Sequence, residues 1–158
     1  MQLTLYTDYS LRVLLYLATQ SETRATISEI ADFHDISRNH LMKVVHNLAL
    51  AGFVTSQRGK FGGLSLARAA ERISIGEVVR QTEPNFHLVE CFDSKASNCR
   101  IDGACVLKHL LFRASEEFLK TLDLYTLQDM LKPTVTPRKP AIVAKPVVMR
   151  SRTGTRSR

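Results

Sequence analysis

Cys91, Cys99 and Cys105 are the three cysteines of the chain, and all fall within the stretch CFDSKASNCRIDGAC, residues 91–105. An odd number of thiols clustered in this way points away from a secreted disulfide scaffold and towards metal binding or redox work in a reducing compartment. Structural zinc sites use a chelating pair separated by two to four residues, because a short loop fixes two ligands on one tetrahedral edge. Here the gaps are seven and five residues. Iron–sulfur clusters are several ångströms across and accept wider thiolate spacing, so they match better, although three thiolates leave one iron without a cysteine. On spacing alone, zinc and a thiol–disulfide sensor stay open. The five histidines, His34, His40, His46, His87 and His109, show no paired arrangement with the cysteines, and there is no glycine-rich phosphate loop, H-E-x-x-H or nucleophile elbow. Enzymatic chemistry is not expected.

The elements around this loop are helical, with one interruption. In DYSLRVLLYLATQS, which follows Thr7, Leu11, Leu14, Leu15 and Ala18 fall at helical spacing, so a first helix packed on a core is expected there. Thr26 and Glu29 stand in capping-box register at the head of a short second helix whose inner face would carry Ile27, Ile30, Ala31 and either Phe33 or His34. Ser37 is a good N-cap for RNHLMKVVHNLALAG, where Leu41, Val44, Val45 and Leu48 form an apolar stripe that Gly52 ends. Two helices joined by the short turn at Asp35 and Ile36 suggest a helix-turn-helix. The period then changes to alternating in FVTSQ and LSLA, around the glycine-rich tip RGKFGG, which predicts a β-hairpin. Ser74 caps a shorter helix that Pro84 ends. Beyond the cysteines, Leu107, Leu110, Leu111, Ala114, Phe118 and Leu122 repeat at helical spacing for about five turns, a plausible dimer contact; packing on the first helix of the same chain is the alternative, and the two are compatible. Thr126 with Asp129 caps a final short helix. The fold class expected is mainly α: a winged helix-turn-helix with a small β-hairpin wing, plus a long dimerisation helix.

Charge supports a nucleic-acid partner. The net charge is +7, but residues 134–158 hold seven basic residues and no acidic one; the remaining 15 basic residues balance the 15 acidic ones. Within the neutral body, residues 36–70 carry Arg38, Lys43, Arg58, Lys60 and Arg68 without an acid. Such a window is a directed electrostatic feature. On the outward face of the third helix stand Arg38, Asn39, Met42, Lys43, His46 and Asn47, with side chains able to reach base edges or phosphates in a major groove. A ferredoxin-like electron carrier would need neither this face nor a basic wing. The tail holds four of the five prolines and lacks apolar periodicity, the composition of a disordered segment and of a polyanion-binding arm. No apolar run is long enough to span a membrane, and a cytoplasmic protein is expected.

The order of parts is specific. A chain that begins MQLTLYTDYSLRVLLYLA, continues SRNHLMKVVHNLALAGFVTSQRGKFGG, and closes with LVEC, the clustered cysteines, LKHLL and LDLYTLQDML resembles the nitric-oxide-sensitive, NsrR-like branch of a winged-helix regulator family that also contains the IscR-like iron–sulfur cluster regulators. The resemblance spans residues 1–131 and leaves the basic tail outside. It implies a homodimeric repressor of double-stranded operator DNA, an imperfect palindrome. Ser37, Arg38, Asn39, His40 and Lys43 would lie in the major groove, with Arg58, Lys60, Gly62 and Gly63 along the minor groove or backbone. Cys91, Cys99 and Cys105 would ligate an iron–sulfur cluster, and nitric oxide, by nitrosylating and removing it, would release the DNA. An alternative within the family is a regulator that reports cluster status or redox state; a zinc-stabilised regulator would keep the DNA function and change the signal.

The fourth ligand divides the branches. IscR-like members use a histidine three residues after the last cysteine, where this chain has Lys108, and His109 is one place off. NsrR-like members complete a [4Fe-4S] cluster with an oxygen ligand from elsewhere, which favours [4Fe-4S] over [2Fe-2S] and makes Asp8 the candidate, reaching across the dimer. The expected organisation is a DNA-binding domain at 1–83, the cysteine loop at 84–105, the dimerisation helix and short C-terminal helix at 106–132, and a disordered basic tail at 133–158.

Overall fold

The computed structural model describes residues 2–20, 23–59, 62–93, 95, 97–101 and 104–131. Lys60, Gly103 and the tail at 133–158 therefore lie outside the described residues.

Helix α1 runs Leu5–Thr19, beginning earlier than the Thr7 start that local sequence suggests. Thr4 is the N-cap, its Oγ1 accepting the Thr7 amide at 3.2 Å. The reason is tertiary: the Thr4 amide and hydroxyl both donate to Glu83 Oε1, at 2.7 and 3.1 Å. This contact spans 79 residues. The inner face carries Thr7, Ser10, Val13, Leu14, Leu17 and Ala18, while Leu11 and Leu15 are only half-buried.

Helix α2, Ile27–His34, opens with the expected capping box: Thr26 Oγ1 accepts the Glu29 amide at 3.2 Å and Glu29 Oε2 accepts the Thr26 amide at 2.5 Å. Ile30 and Ala31 are buried, whereas Phe33 is 70% exposed and His34 takes the inner side. Asp35, at φ 52°, turns the chain into α3, Arg38–Leu50. Ser37 occupies the N-cap position without making a side-chain cap bond. The stripe Leu41, Val44, Val45 and Leu48 is buried as expected.

Strands β1, Val54–Gln57, and β2, Gly63–Leu66, pair antiparallel with Val54 opposite Leu66 and Gln57 opposite Gly63. Ala25 adds a bridge to Leu64, exchanging amide and carbonyl bonds at 3.1 and 2.8 Å, and so pins the wing to the segment before α2. Helix α4, Ile75–Thr82, is capped by Ser74. A 3-10 turn at Glu90–Phe92 precedes α5, Val106–Asp123, and α6 is Leu127–Met130 with its own Thr126–Asp129 capping box.

One core joins these elements. Leu14, Ile30, Leu41, Leu48, Phe53, Ile73, Val78, Val79 and Leu127 have essentially no exposure. Each contributes roughly 1.5–3 kcal/mol by leaving water. Leu127 reaches the core because α6 folds back: Ser74 bridges Thr126, and the Leu127 amide donates to Ile73 O at 3.0 Å. Among the described residues, no helix is long and apolar enough to cross a membrane.

The long helix divides along its length. Ser115 and Leu119 are its buried residues; Phe118 and Leu122 are half-buried, while Leu107, Leu110 and Ala114 are exposed. Its C-terminal half packs on α4, and its N-terminal half presents apolar side chains outward.

Candidate metal centre and nucleic-acid interface

The cysteine loop leaves the end of α4 and returns at the start of α5. Cys91 sits in the 3-10 turn, half-buried, and Cys99 is exposed with its amide donating to Ser97 Oγ at 3.4 Å. Together they line one cavity of about 310 Å³ with Val89, Glu90 and Asn98. Cys105 is the N-cap of α5, and its sulfur accepts the Lys108 amide at 3.4 Å. A neighbouring contact fastens the loop to the helix: the Phe92 and Phe112 rings meet edge-on with centroids 6.1 Å apart.

The donor set fits a soft, thiophilic iron group. All three thiols are unbridged, two face one cavity, and the third closes the loop at a helix terminus. Among the described residues, no three His, Cys, Asp or Glu side chains are gathered closely enough to hold a single ion. Asp8 lies on α1, where its carboxylate pairs with Arg12 at 2.9 Å one helical turn away. Neither that pairing nor the link between the α1 N-terminus and the base of the loop was read from the sequence. Thr4 caps α1 through Glu83, and Glu83 is the residue from which the loop departs, so Asp8 and the loop are mechanically joined.

A second connection ties the C-terminal end of α5, the end remote from the loop, to the head. Arg80 on α4 forks onto Asp123 at the end of α5, with bonds of 2.5 and 2.7 Å. The Arg80 hydrogen bonds hold the Asp123 carboxyl below the usual carboxylate range. Gly76 makes room for this fork, because a Cβ there would collide with the Asp123 carboxylate.

The residues that the sequence assigns to DNA divide into two kinds. Ser37, Arg38, Asn39, His40 and Lys43 are all exposed on the first turns of α3, as are Met42, His46 and Asn47. His40 also meets the Tyr9 ring of α1, with centroids 6.4 Å apart, so one candidate contact residue touches the helix that bears Asp8. Arg58 is exposed at the wing tip. Gly62 and Gly63, by contrast, have structural work in the wing. A Cβ on Gly62 would strike the Gln57 carbonyl, and Gly63, at φ 150°, lies where a Cβ would come within 2.9 Å of Arg24 Cβ. Arg68, part of the acid-free window, is used internally: it bonds Glu77 at 2.9 Å and lies 5.1 Å over the Phe53 ring.

Residues 3–133 match the Rrf2 family, described as iron-dependent transcriptional regulators. The chain belongs to the Rrf2 family. It is similar to the HTH-type transcriptional regulator NsrR of Bacillus licheniformis, 50% identical over 132 residues that cover 83% of this chain and 92% of that protein. It is likewise similar to the NsrR of Bacillus subtilis strain 168, 49% identical over 133 residues, 84% of this chain and 91% of that protein. Among solved structures, T. potens IscR superposes with a TM-score of 0.68 at 25% identity, covering 83% of this chain and 86% of its own. CymR of B. subtilis, the global cysteine regulator, gives a TM-score of 0.67 at 25% identity over 82% and 95%. This Rrf2 chain is therefore an iron-dependent, DNA-binding transcriptional regulator and not an enzyme, and its hairpin is the wing of a winged helix-turn-helix.

Proposed function

We propose that this Rrf2 protein is a homodimeric, nitric-oxide-sensing iron–sulfur repressor. The observation that carries the reading is the placement of the three thiols on one loop strung between the DNA-binding head and α5, in a chain about half identical to the NsrR relatives. Cys91, Cys99 and Cys105 hold a [4Fe-4S] cluster, and Asp8 of the second protomer supplies the remaining oxygen ligand. When bound, the cluster supplies iron that reacts with nitric oxide.

The chain's own residues account for the transmission. Glu83 connects the base of the loop to the cap of α1, and Arg80–Asp123 connects α4 to α5. A change in loop shape therefore acts on both helices that bracket the head. The exposed face formed by Val106, Leu107 and Leu110 meets its copy in the second protomer. Arg38, Asn39 and Lys43 read the major groove, His40 follows α1 through Tyr9, and Arg58 with Lys60 contacts the backbone. Two recognition helices must match half-sites about 34 Å apart, so a displacement of the paired α5 helices is sufficient to lose the operator. Taking occupancy from nearly full to nearly empty requires a shift of about 5.5 kcal/mol between the two states.

The test is an anaerobic purification with iron, sulfide and zinc analysis, followed by titration with a nitric oxide donor while operator binding is monitored. Roughly four irons and four sulfides per chain, with bleaching that tracks DNA release, is the expected result. Zinc alone, or bleaching that leaves binding untouched, would overturn the signal and leave the regulator.

A further inference from the structure

The hairpin is flanked on its second edge by the segment before α2. Ala25 exchanges amide and carbonyl bonds with Leu64 of β2, so the chain at 24–26 runs alongside the wing. Successive side chains of an extended segment point to opposite faces. Ala25 and Leu64 are both buried, and Arg24 accordingly stands on the outer face, where it is exposed. That face also carries Gln57, which is opposite Gly63, and the Thr55–Ser65 pair, whose hydroxyls lie 2.9 Å apart. Gly63 leaves the space beside Arg24 open. A Cβ there would come within 2.9 Å of Arg24 Cβ and 3.1 Å of the Ala25 carbonyl oxygen. The base of the Arg24 side chain therefore lies directly against the hairpin backbone.

Its guanidinium is uncommitted. Arg12, Arg68 and Arg80 each pair with a carboxylate, whereas Arg24 makes no ion pair or hydrogen bond among the described residues. A planar guanidinium with several donors matches the oxygens of a phosphate. Spacing points the same way. Two strand separations, about 10 Å, lie between the line of Arg24 and that of β1, from whose end Arg58 projects. The minor groove is about 6 Å wide between its walls, so Arg24 and Arg58 can reach both phosphate walls of one groove with the glycine backbone at 62–63 between them. Local sequence does not single out Arg24, because it precedes the acid-free window at 36–70 and belongs to no helix.

We propose that Arg24 is a second phosphate contact of the wing, holding the DNA backbone on the side of the hairpin away from Arg58. It rests on the reading of the hairpin as a DNA-contacting wing with Arg58 as its other cation. The contribution of Arg24 is uniform over sequence, because phosphates carry no base information.

The experiment compares the full-length holo-protein with full-length Arg24→Gln, Arg24→Lys and Arg58→Gln variants. Binding to operator and to an unrelated duplex of equal length is measured between about 50 and 200 mM KCl, and the thermal midpoint of each variant is recorded alongside. For Arg24→Gln the expected log–log salt slope is shallower by about 0.9 for each protomer on the duplex. Affinity at the lowest salt falls about tenfold on both duplexes, while their ratio and the thermal midpoint stay those of the wild type. Arg24→Lys restores the slope, which a purely steric role beside Gly63 would not require. The proposal is overturned by a wild-type slope for Arg24→Gln when Arg58→Gln has lost its share, or by a loss confined to the operator. Wild-type slopes for both glutamine variants would overturn the placement of the wing on DNA, and this proposal with it.

Discussion

The head and the loop region are built on opposite terms. From Leu5 to Thr82 the chain buries a continuous set of side chains, whereas no described residue between Thr82 and Ser115 is buried. The head solves its hydrophobic problem within one chain. The other region keeps Ile101, Val106, Leu107, Leu110 and Phe112 in contact with solvent at 55–81% exposure, and holds its three thiols in a loop with little core beneath it. On the proposed function, a bound group and a second copy of the chain supply the stability that this segment's own burial does not.

The largest test of this contrast removes what the loop binds. Cys105→Ser should abolish iron and visible absorption and weaken operator binding by at least about a hundredfold, the scale of a population shift of some kcal/mol. Hydrogen exchange should speed up across 84–114 and change little across the head; equal loosening of both would break the comparison. Phe53→Ala is the converse. It empties a site with no exposure in the head and should cost about 3–5 kcal/mol, read as a fall in the denaturation midpoint. Gly63→Ala, forcing a Cβ against Arg24 at φ 150°, should cost about 1–3 kcal/mol and weaken DNA binding through the wing while leaving iron content unchanged.

Leu110→Ala sharpens the same comparison from the other side. Leu110 is 59% exposed, so the folding of the protomer should move by no more than about 0.5 kcal/mol, while sedimentation shows the dimer dissociating at higher concentration. The smallest effect concerns pH. Burial pushes the His34 imidazole below its ordinary value of 6.5, outweighing the backbone hydrogen bond to Arg12, which acts the other way. A histidine with a depressed folded-state pKa contributes fully above its unfolded value, and stability is lost as pH falls from there through the folded value. His34→Gln should flatten that acid-side loss in the head's denaturation profile. A profile identical to wild type would remove His34 as its source.

Much of the head was legible because its signals are local. The Thr26–Glu29 and Thr126–Asp129 boxes, the α3 stripe and the alternating strands each lie within one element, where period and capping chemistry decide the outcome. The start of α1 was not legible, since Glu83 sets it from 79 residues away. The α5 stripe was legible as a face only: apolar period does not reveal whether the face meets its own chain or another, and here the halves differ. Cys91, Cys99 and Cys105 stood out by type and spacing, yet the sequence could not show that Cys105 is also a helix cap. Gly62 and Gly63 were assigned to DNA by resemblance, while the structure gives them steric work in the hairpin.

The return of α6 to the head has a consequence for how the protein is made. Leu127 fills a place in the core beside Ile73, so the head cannot finish folding until the ribosome has released residues beyond it. The cysteine loop, at 84–105, emerges earlier and waits inside an unfinished unit. The loop is thus spliced between two segments that build a single core, while having no buried residue of its own among those described, so it can open without the core it interrupts coming apart.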